Sequence, residues 1–265
     1  MELRRVALPV LLASLLVLAG CSGTSQLSSP NEPTEEELPP GVSQDGVDNA
    51  STLVDAHSNA LNESGYAYRV GLQGSVAVSD GNETSTAYET NLTQTSRAEP
   101  GGRPAFVTAD VRSAQAGQNQ SQSVAYWWND TTTLGRFSAG EQTQYAAFDQ
   151  RPGQGQLYAP DDQYLRQIVG ASNFTVSGVD RSGGETLITL TATEANASLQ
   201  GVTEYNATVV VDSEGRIHSA SQHAIVESAQ GTQTVDLRYE LTATSVETVA
   251  QPEWADEALG NRTAA

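Results

Sequence analysis

The stretch Thr234–Ala243, TVDLRYELTA, alternates apolar and polar side chains without a slip. Its odd-numbered positions are apolar, and its even-numbered positions carry hydroxyl or charged side chains. Period-two alternation is typical of a strand in an antiparallel sheet that has one face on the core and one in water. We therefore predict that this stretch is one strand of such a sheet.

The same alternation recurs in three earlier stretches. It places apolar side chains on one face in these groups: Tyr66, Tyr68, Val70 and Leu72; Ile188, Leu190 and Ala192; Tyr205, Ala207, Val209 and Val211. Turn signals separate the stretches, so the sequence predicts a meander of hairpins. One signal, Asp212–Gly215, has acidic residues that suit Ca²⁺, but its spacing favours a hairpin turn.

Two segments have helical periodicity. The first is capped by Asn49 or Ser51 and ends at Gly65, and its apolar stripe is Leu53, Val54, His57, Ala60 and Leu61. The second opens at Pro160 and closes at Gly170. The apolar stripes of both helices must be buried, and the apolar face of the predicted sheet is the only large surface available to bury them.

The predicted fold is therefore α+β. It consists of a curved antiparallel β-sheet, a half-barrel meander, whose concave face is covered by a few short helices. We assign this domain to residues 49–246 and a C-terminal tail with a short helix to residues 247–265.

The N-terminus has the organisation of a secretory signal peptide. Two arginines precede the apolar run Val6–Ala19, which is shorter than the roughly 20 residues that span a bilayer. Cys21 is the only cysteine, so a disulfide within the chain is excluded. The segment Leu18–Cys21 resembles the lipobox of secreted lipoproteins. We expect export by the Sec or the twin-arginine route, with cleavage of residues 1–20 before Cys21. A lipid on Cys21 then holds the protein on the extracytoplasmic face of the cell membrane.

The amino-acid composition indicates what adjoins the domain and in what environment it works. Residues 21–48 are rich in Ser, Pro, Glu and Gly, which predicts a disordered tether. The chain has 32 acidic residues, 13 arginines and no lysine, and its formal net charge is −19. So acidic a surface repels nucleic acid, and we expect no nucleic-acid partner. The acid excess without lysine resembles extracytoplasmic proteins of halophilic archaea.

Asparagine is placed non-randomly. Ten of the 12 asparagines have Ser or Thr two positions later without an intervening Pro, where chance gives about two or three. This is the N-glycosylation acceptor pattern, which has a physical meaning only on an exported surface. The predicted glycan sites are Asn49, Asn62, Asn82, Asn91, Asn119, Asn129, Asn173, Asn196, Asn206 and Asn261.

The histidines do not form a catalytic or metal-binding group. His218 and His223 are five positions apart on a predicted strand, which sends their side chains to opposite faces, so they cannot share a metal unless a bulge intervenes. Asp55 and His57 are not aligned on their helix, and we expect His57 to pack that helix on the sheet. No zinc, EF-hand, phosphate-loop or nucleophile-elbow pattern occurs. We predict a non-catalytic protein without metal or cofactor.

Several of these features together resemble a known group. The order of elements, the lipobox, the strand VAYWWND (124–130) and the hairpin ATVVVDSEGRIHSASQHAIV (207–226) are similar to the lipoprotein-carrier superfamily of LolA-like and LppX-like lipoproteins. The whole chain resembles a family of haloarchaeal lipoproteins. The resemblance implies a half-barrel closed by helices over an apolar cavity that carries lipids or lipoprotein acyl chains.

Two functional hypotheses follow. In the first, the domain binds a lipid, an isoprenoid or a lipoprotein acyl chain, and the candidate lining residues are Tyr66, Tyr68, Trp127, Trp128, Tyr205, Val209, Leu237 and Tyr239. Trp127 and Trp128 are neighbours in a strand, so both are core residues only if the sheet is covered on both faces. In the second, the protein is a structural or interaction glycolipoprotein of the cell envelope with a packed interior.

Overall fold

The computed structural model describes residues 32–80, 83–115, 117–148, 161–197, 199–229 and 231–261. Cys21, Asn82 and the predicted signal peptide lie outside these ranges. A small hairpin of β1 (Val42–Ser43) and β2 (Gly46–Val47) precedes α1 (Ala50–Ser64). An antiparallel sheet of 11 strands follows, which is curved and does not close into a barrel, and the predicted α+β class is confirmed.

The sheet consists of two meanders. The first has six strands: β3 (Tyr66–Asp80), β4 (Glu83–Ala98), β5 (Ala105–Gln115), β6 (Gln118–Trp128), β7 (Thr133–Ala139) and β8 (Gln142–Phe148). After α2 (Asp161–Gly170), the second has five: β9 (Thr175–Asp180), β10 (Leu187–Ala192), β11 (Val202–Asp212), β12 (Ile217–Ser228) and β13 (Gly231–Ala243). The last helix is α3 (Ala255–Gly260). In the described part of the chain no helix is long and apolar enough to cross a membrane.

The two meanders meet where β3 pairs with β13, which gives the order β8-β7-β6-β5-β4-β3-β13-β12-β11-β10-β9. In this pairing Leu72 lies opposite Leu237. The alternation predicted for β13 is confirmed, since Leu237 and Tyr239 are buried whereas Arg238 and Glu240 are exposed. We call the face of the sheet that carries Leu237 the inner face, and the opposite face the outer face.

Helix α1 has the predicted boundaries. The side chain of Asn49 caps it by accepting a hydrogen bond from the amide of Thr52. Gly65 ends it with a φ of +73°, and a Cβ there would lie 2.6 Å from the carbonyl oxygen of Val246. Glycine is required at this position both by the backbone angle and by the close approach.

Helices α1 and α2 lie directly on the inner face. Their apolar side chains share one packed cluster with those of β3 and β10–β13. Leu53 and Leu165, one from each helix, are fully buried there. Burial of a leucine side chain stabilises a fold by roughly 1.5–3 kcal/mol, so each of these leucines contributes to holding its helix on the sheet.

Polar contacts fix where each helix sits. In α1, Nδ1 of His57 accepts a hydrogen bond from the amide of Ile217 at 2.9 Å, and Nε2 lies 3.1 Å from the hydroxyl of Tyr239. The ring of His57 is completely buried, as expected of a residue that packs the helix on the sheet. In α2, the hydroxyl of Tyr164 donates to the side chain of Gln94. Both helices are therefore docked by buried hydrogen bonds as well as by apolar contact.

The C-terminal segment covers part of the outer face. Val249, Ala255 and Ala258 pack with Leu134 and Trp127 in a separate cluster, and the indole of Trp127 donates to the carbonyl of Val249. The predicted short helix of the tail is present as α3. The folded domain therefore continues past residue 246, the predicted boundary, to residue 261.

Residues 32–48 differ from the predicted disordered tether. They pack on the domain through partly buried Leu38, Val42 and Val47. The amide of Val47 donates to the carbonyl of Phe174, and Glu37 pairs with Arg181 at 2.7 Å. A few spaced apolar residues and one ion pair are enough to attach this segment, while residues 21–31 lie outside the described residues.

Replacing His57 by alanine is expected to lower the free energy of unfolding by about 2–4 kcal/mol. The substitution removes a fully buried ring and takes one hydrogen-bond partner from both Ile217 and Tyr239. Urea denaturation in matched salt measures this change. His223→Ala, at a half-buried site on the outer face, is the control and should cost less than about 1 kcal/mol. Equal losses in the two variants would contradict the docking role of His57.

Candidate functional site

The eight residues predicted to line a cavity lie in three packed clusters. Five are buried with α1 and α2 in the main cluster: Tyr68, Tyr205, Val209, Leu237 and Tyr239. Trp128 is buried on the inner face of β6 in a second cluster, against which half-buried Tyr66 packs. Trp127 faces the other way, under the C-terminal segment. Both tryptophans are core residues because the sheet is covered on both faces at this point.

Part of the inner face carries aliphatic side chains that are only half-buried. We call Leu72, Leu92, Val111 and Val235 the open inner stretch. The register aligns Leu72, Leu92 and Val111 in one row across β3, β4 and β5, beside Leu237 of β13. Of these four residues, only Leu72 packs against the main cluster. The row therefore continues the apolar core past the helices.

Two buried polar atoms lie next to this row. Gln222 of β12 lies opposite Leu237 and so belongs to the same row, and Tyr205 of β11 lies in the adjacent one. Oε1 of Gln222 and the hydroxyl of Tyr205 are buried and have no hydrogen-bond partner among the described residues. Burial raises the pKa of Tyr205 to about 12, so the phenol remains protonated and able to donate. Buried polar groups normally have partners, which makes this pair a candidate for ligand contact.

Gln222 is not among the residues predicted from the sequence, although the alternation of its strand points to it. In the stretch Ala220–Ala224, ASQHA, the alternation puts Gln222 on the face of two buried alanines. Gln94 is a second polar residue at a core-facing position, and it is completely buried between Tyr68 and Tyr164. Both residues could therefore have been predicted from one pattern, a polar residue at a strand position where the alternation calls for an apolar side chain.

The outer face carries a long groove. Its wider part has a volume of about 640 Å³ and lies over the outer-face residues of five strands, from β13 across β3, β4 and β5 to β6. A narrower part of about 410 Å³ continues along β13, β3 and β4, and Gln73, Asn91 and Asp236 line both parts. We call the two parts together the outer groove. Its side chains are mainly polar, in contrast to the inner face.

The turn predicted at Asp212–Gly215 is confirmed. Oδ1 of Asp212 accepts hydrogen bonds from the amides of Glu214 and Arg216, and Oδ2 lies 3.0 Å from Nε2 of His218. Glu185 completes a group of three whose ligand atoms lie within 4.8 Å of one another. Both oxygens of Asp212 already have partners, so the turn and its ion pairs account for this group.

The three histidines lie in different surroundings. His57 is buried under α1, His218 contacts Asp212 at the β11–β12 turn, and Nδ1 of His223 lies 2.9 Å from Asp236 on the outer face. Each one has its own structural partner. The geometry therefore gathers no group of histidines for catalysis.

Most predicted glycan sites in the described ranges are accessible. Seven are exposed: Asn49, Asn62, Asn91, Asn119, Asn173, Asn206 and Asn261. Asn129 and Asn196 are half-buried, and Nδ2 of Asn196 donates to the carbonyl of Gly170 at 2.9 Å. A glycan on Asn196 would compete with that bond, whereas Asn206 projects from the outer face as its neighbours predict.

Titration of the Asp212–His218 pair is expected to make stability depend on pH. The hydrogen bond to Asp212 raises the pKa of His218 above its ordinary 6.5, so this contribution is complete below about pH 6.5 and is lost as the pH rises through the folded value. Burial works to raise the pKa of Asp212, but hydrogen bonds from His218 and the Arg216 amide outweigh it and lower that pKa below 3.8. The contribution of Asp212 is therefore present above about pH 4 and is lost as the pH falls.

His218→Gln should consequently cost the most stability between about pH 4 and pH 6.5, and less above that window. Urea midpoints of the wild type and the variant, measured from pH 4 to pH 9 at constant salt, give the difference. A difference that stays constant over this range would show that the pair does not titrate as the geometry requires.

Solved structures offer only distant likenesses. A DUF1329 family protein from Desulfovibrio piger has 8% identity and a TM-score of 0.28, and the match covers 80% of this chain and 97% of that one. Rv2717c from M. tuberculosis has 9% identity and a TM-score of 0.18, with coverage of 72% and 98%. MucB in complex with MucA(peri) has 10% identity and a TM-score of 0.14, with coverage of 72% and 93%. Scores this low carry no argument about the site.

Sequence comparison is more decisive. None of the curated proteins matches this chain. A family model described as a family of unknown function, DUF7537, matches residues 6–258. Because this match spans almost the whole chain, the protein belongs to the DUF7537 family.

Proposed function

We propose that this protein is a non-catalytic binding protein of the cell envelope, anchored to the extracytoplasmic face of the membrane by a lipid on Cys21. Its ligand is an amphiphile with an apolar chain and an oxygen-bearing head, such as a fatty acid, an isoprenoid alcohol or a lipid. The chain lies on the open inner stretch, and the head contacts Tyr205 and Gln222.

The observation that carries the proposal is the position of two buried polar atoms that have no hydrogen-bond partner among the described residues. They lie at one end of the aliphatic row, next to the buried Leu237, and the rest of the row is half-buried. The hydroxyl of Tyr205 is a donor and Oε1 of Gln222 is an acceptor, which suits a carboxylic acid or an alcohol. From β12 to β5 the row crosses four strand spacings, or roughly 19 Å. That span is on the scale of a long acyl or isoprenoid chain.

The proposed site differs from the cavity expected at first. Five of the residues predicted to line that cavity are packed in the main cluster with α1 and α2. Of these five, only Tyr205 belongs to the proposed site, through its buried hydroxyl, and the apolar chain of the ligand lies beside the helices instead of beneath them. The same packing favours the second hypothesis, a structural or interaction glycolipoprotein with a solid interior. The two hypotheses differ in whether the open inner stretch holds a ligand.

Native mass spectrometry of the detergent-solubilised full-length protein, followed by extraction and lipid analysis, tests the proposal. Leu92→Asp is expected to remove the co-purified amphiphile, because it places a charge in the centre of the apolar row. Leu259→Asp makes the same change at an exposed leucine of α3, the helix that lies on the outer face, and it should retain the ligand.

Gln222→Met tests the head group separately. It removes the unpartnered acceptor while keeping the side-chain volume, so the ligand-free protein should be at least as stable as the wild type. Ligand occupancy should fall nevertheless. If the wild type carries no amphiphile, or if Leu92→Asp retains it, the binding proposal fails and the structural hypothesis replaces it.

Cys21→Ser is expected to abolish membrane anchoring. Two chains at roughly 0.8 kcal/mol per CH₂ hold a protein on a membrane stably, and serine provides no thioether for them. Membrane flotation of the wild type and the variant, with intact mass of each, measures the change. A wild type that is unmodified at Cys21 and found entirely in the supernatant would contradict lipid anchoring.

A further inference from the structure

The arginines in this chain have many potential partners. There are 13 arginines and no lysine, against 32 acidic residues. Nine arginines lie in the described ranges, and four of them pair with carboxylates: Arg103, Arg166, Arg181 and Arg216. Two more lie over aromatic rings, Arg97 at 5.5 Å from the ring of Phe106 and Arg136 at 5.8 Å from that of Trp254.

The remaining three arginines are in one place. Arg69, Arg112 and Arg238 have no carboxylate oxygen of a described residue within 4.0 Å of their guanidinium nitrogens, and all three line the outer groove. Arg112 lies in the wider part, and the other two lie in the narrower part. In so acidic a chain, unpaired guanidinium groups concentrated in one groove indicate a surface that is suited to an external anion.

The strand register explains the shape of the groove. Arg238 lies opposite Gly71 in the β13–β3 pair, and Gly71 lies opposite Thr93 in the β3–β4 pair. A Cβ added at Gly71 would meet nothing within 4 Å, so the floor is open at this position. The neighbouring row runs through Asp236, Gln73, Asn91 and Arg112, and it places amide side chains between the charges.

The lining is electrically balanced, unlike the chain as a whole. It has three arginines and three acidic residues, Glu89, Asp236 and Glu240, whereas the net charge of the protein is −19. Asp236 already has His223 as a partner. An anionic ligand therefore meets less repulsion here than the net charge of the chain implies, and the planar guanidinium groups can bind a carboxylate with two parallel hydrogen bonds.

We propose that the outer groove binds an acidic saccharide. Arg69, Arg112 and Arg238 hold its carboxylates, and Gln73 and Asn91 bind its hydroxyl groups. This class of ligand is favoured because, apart from Tyr239, whose side chain is buried on the inner face, the side chains that line the groove are charged, amide, hydroxyl or small, which suits a polyhydroxylated anion. The site is on the opposite face from the proposed amphiphile site and is independent of it.

The saccharide has two potential sources. Two predicted glycan sites, Asn91 and Asn119, line the wider part of the groove, so a glycan attached there begins inside it. The other source is a separate acidic polysaccharide of the cell envelope. The chemistry of recognition is the same for both, and only the covalent link differs.

Isothermal titration of the full-length protein in detergent with oligogalacturonate tests the proposal, with maltoheptaose as the neutral probe and polyglutamate as the acidic peptide. We expect binding of oligogalacturonate only. Arg112→Gln and Arg238→Gln should each weaken it by about tenfold or more, because each removes a charged hydrogen-bond partner. Arg97→Gln, on the same face but outside the groove, should change the dissociation constant by less than about twofold.

Gly71→Gln is a variant that removes no charge. It fills the open floor with a side chain that the fold has room for, so binding should be lost while the urea midpoint is kept. If a glycan from Asn91 or Asn119 occupies the groove, the added probe binds only to the Asn91→Gln/Asn119→Gln double variant, which keeps both amides. Without such glycans, the probe binds the wild type directly, and either result supports the proposal.

Three outcomes overturn it. The first is no binding of oligogalacturonate to either the wild type or the double asparagine variant. The second is equal binding of maltoheptaose or polyglutamate, which would make the groove a different kind of site. The third is wild-type affinity in Arg112→Gln and Arg238→Gln.

Discussion

The pairing of β3 with β13 is the contact on which the rest of the structure depends. It joins the first long strand of the domain to the last, and so unites two meanders that would otherwise be separate sheets. Its register sets Leu72 beside Leu237 on the inner face and Gln73 beside Asp236 on the outer face. A slip of one residue would turn the apolar side chains of one strand to solvent, so core, open inner stretch and outer groove all depend on one register.

The register of the β3–β13 pair also gives the two faces of the sheet different chemistry. On the inner face, the apolar stripes of the two helices pack against the aromatic side chains near one end of the strands, and His57 and Tyr164 add buried hydrogen bonds. The aliphatic row past the helices, with Gln222 and Tyr205 beside it, is left only partly covered. On the outer face, α3 and the C-terminal segment cover β6–β8, and the central strands form the polar groove. We therefore propose an amphiphile for one face and an acidic saccharide for the other.

Local pattern predicted the elements of the fold well. The alternation of Thr234–Ala243, the cap at Asn49 and the stop at Gly65 depend on neighbouring residues, so they can be identified in the sequence alone. Long-range contacts could not be predicted in this way. Trp127 is buried because the C-terminal segment crosses the outer face, and residues 32–48 are attached because Phe174 and Arg181 lie where they can bind them. The candidate sites depend on cross-strand register: the unpaired arginines come from β3, β5 and β13, and Gln222 meets the aliphatic row only when β12 and β13 are aligned.

The central claim, that the open inner stretch holds an apolar chain, is tested most directly by photo-crosslinking. The full-length protein is equilibrated with a diazirine-bearing fatty acid and irradiated, and the labelled positions are mapped by peptide mass spectrometry. Labels on Leu92, Val111 and Val235, which excess unlabelled fatty acid removes, are the result this account predicts. Labels confined to the exposed Phe148 or Leu259, or labels that excess fatty acid does not displace, would contradict it.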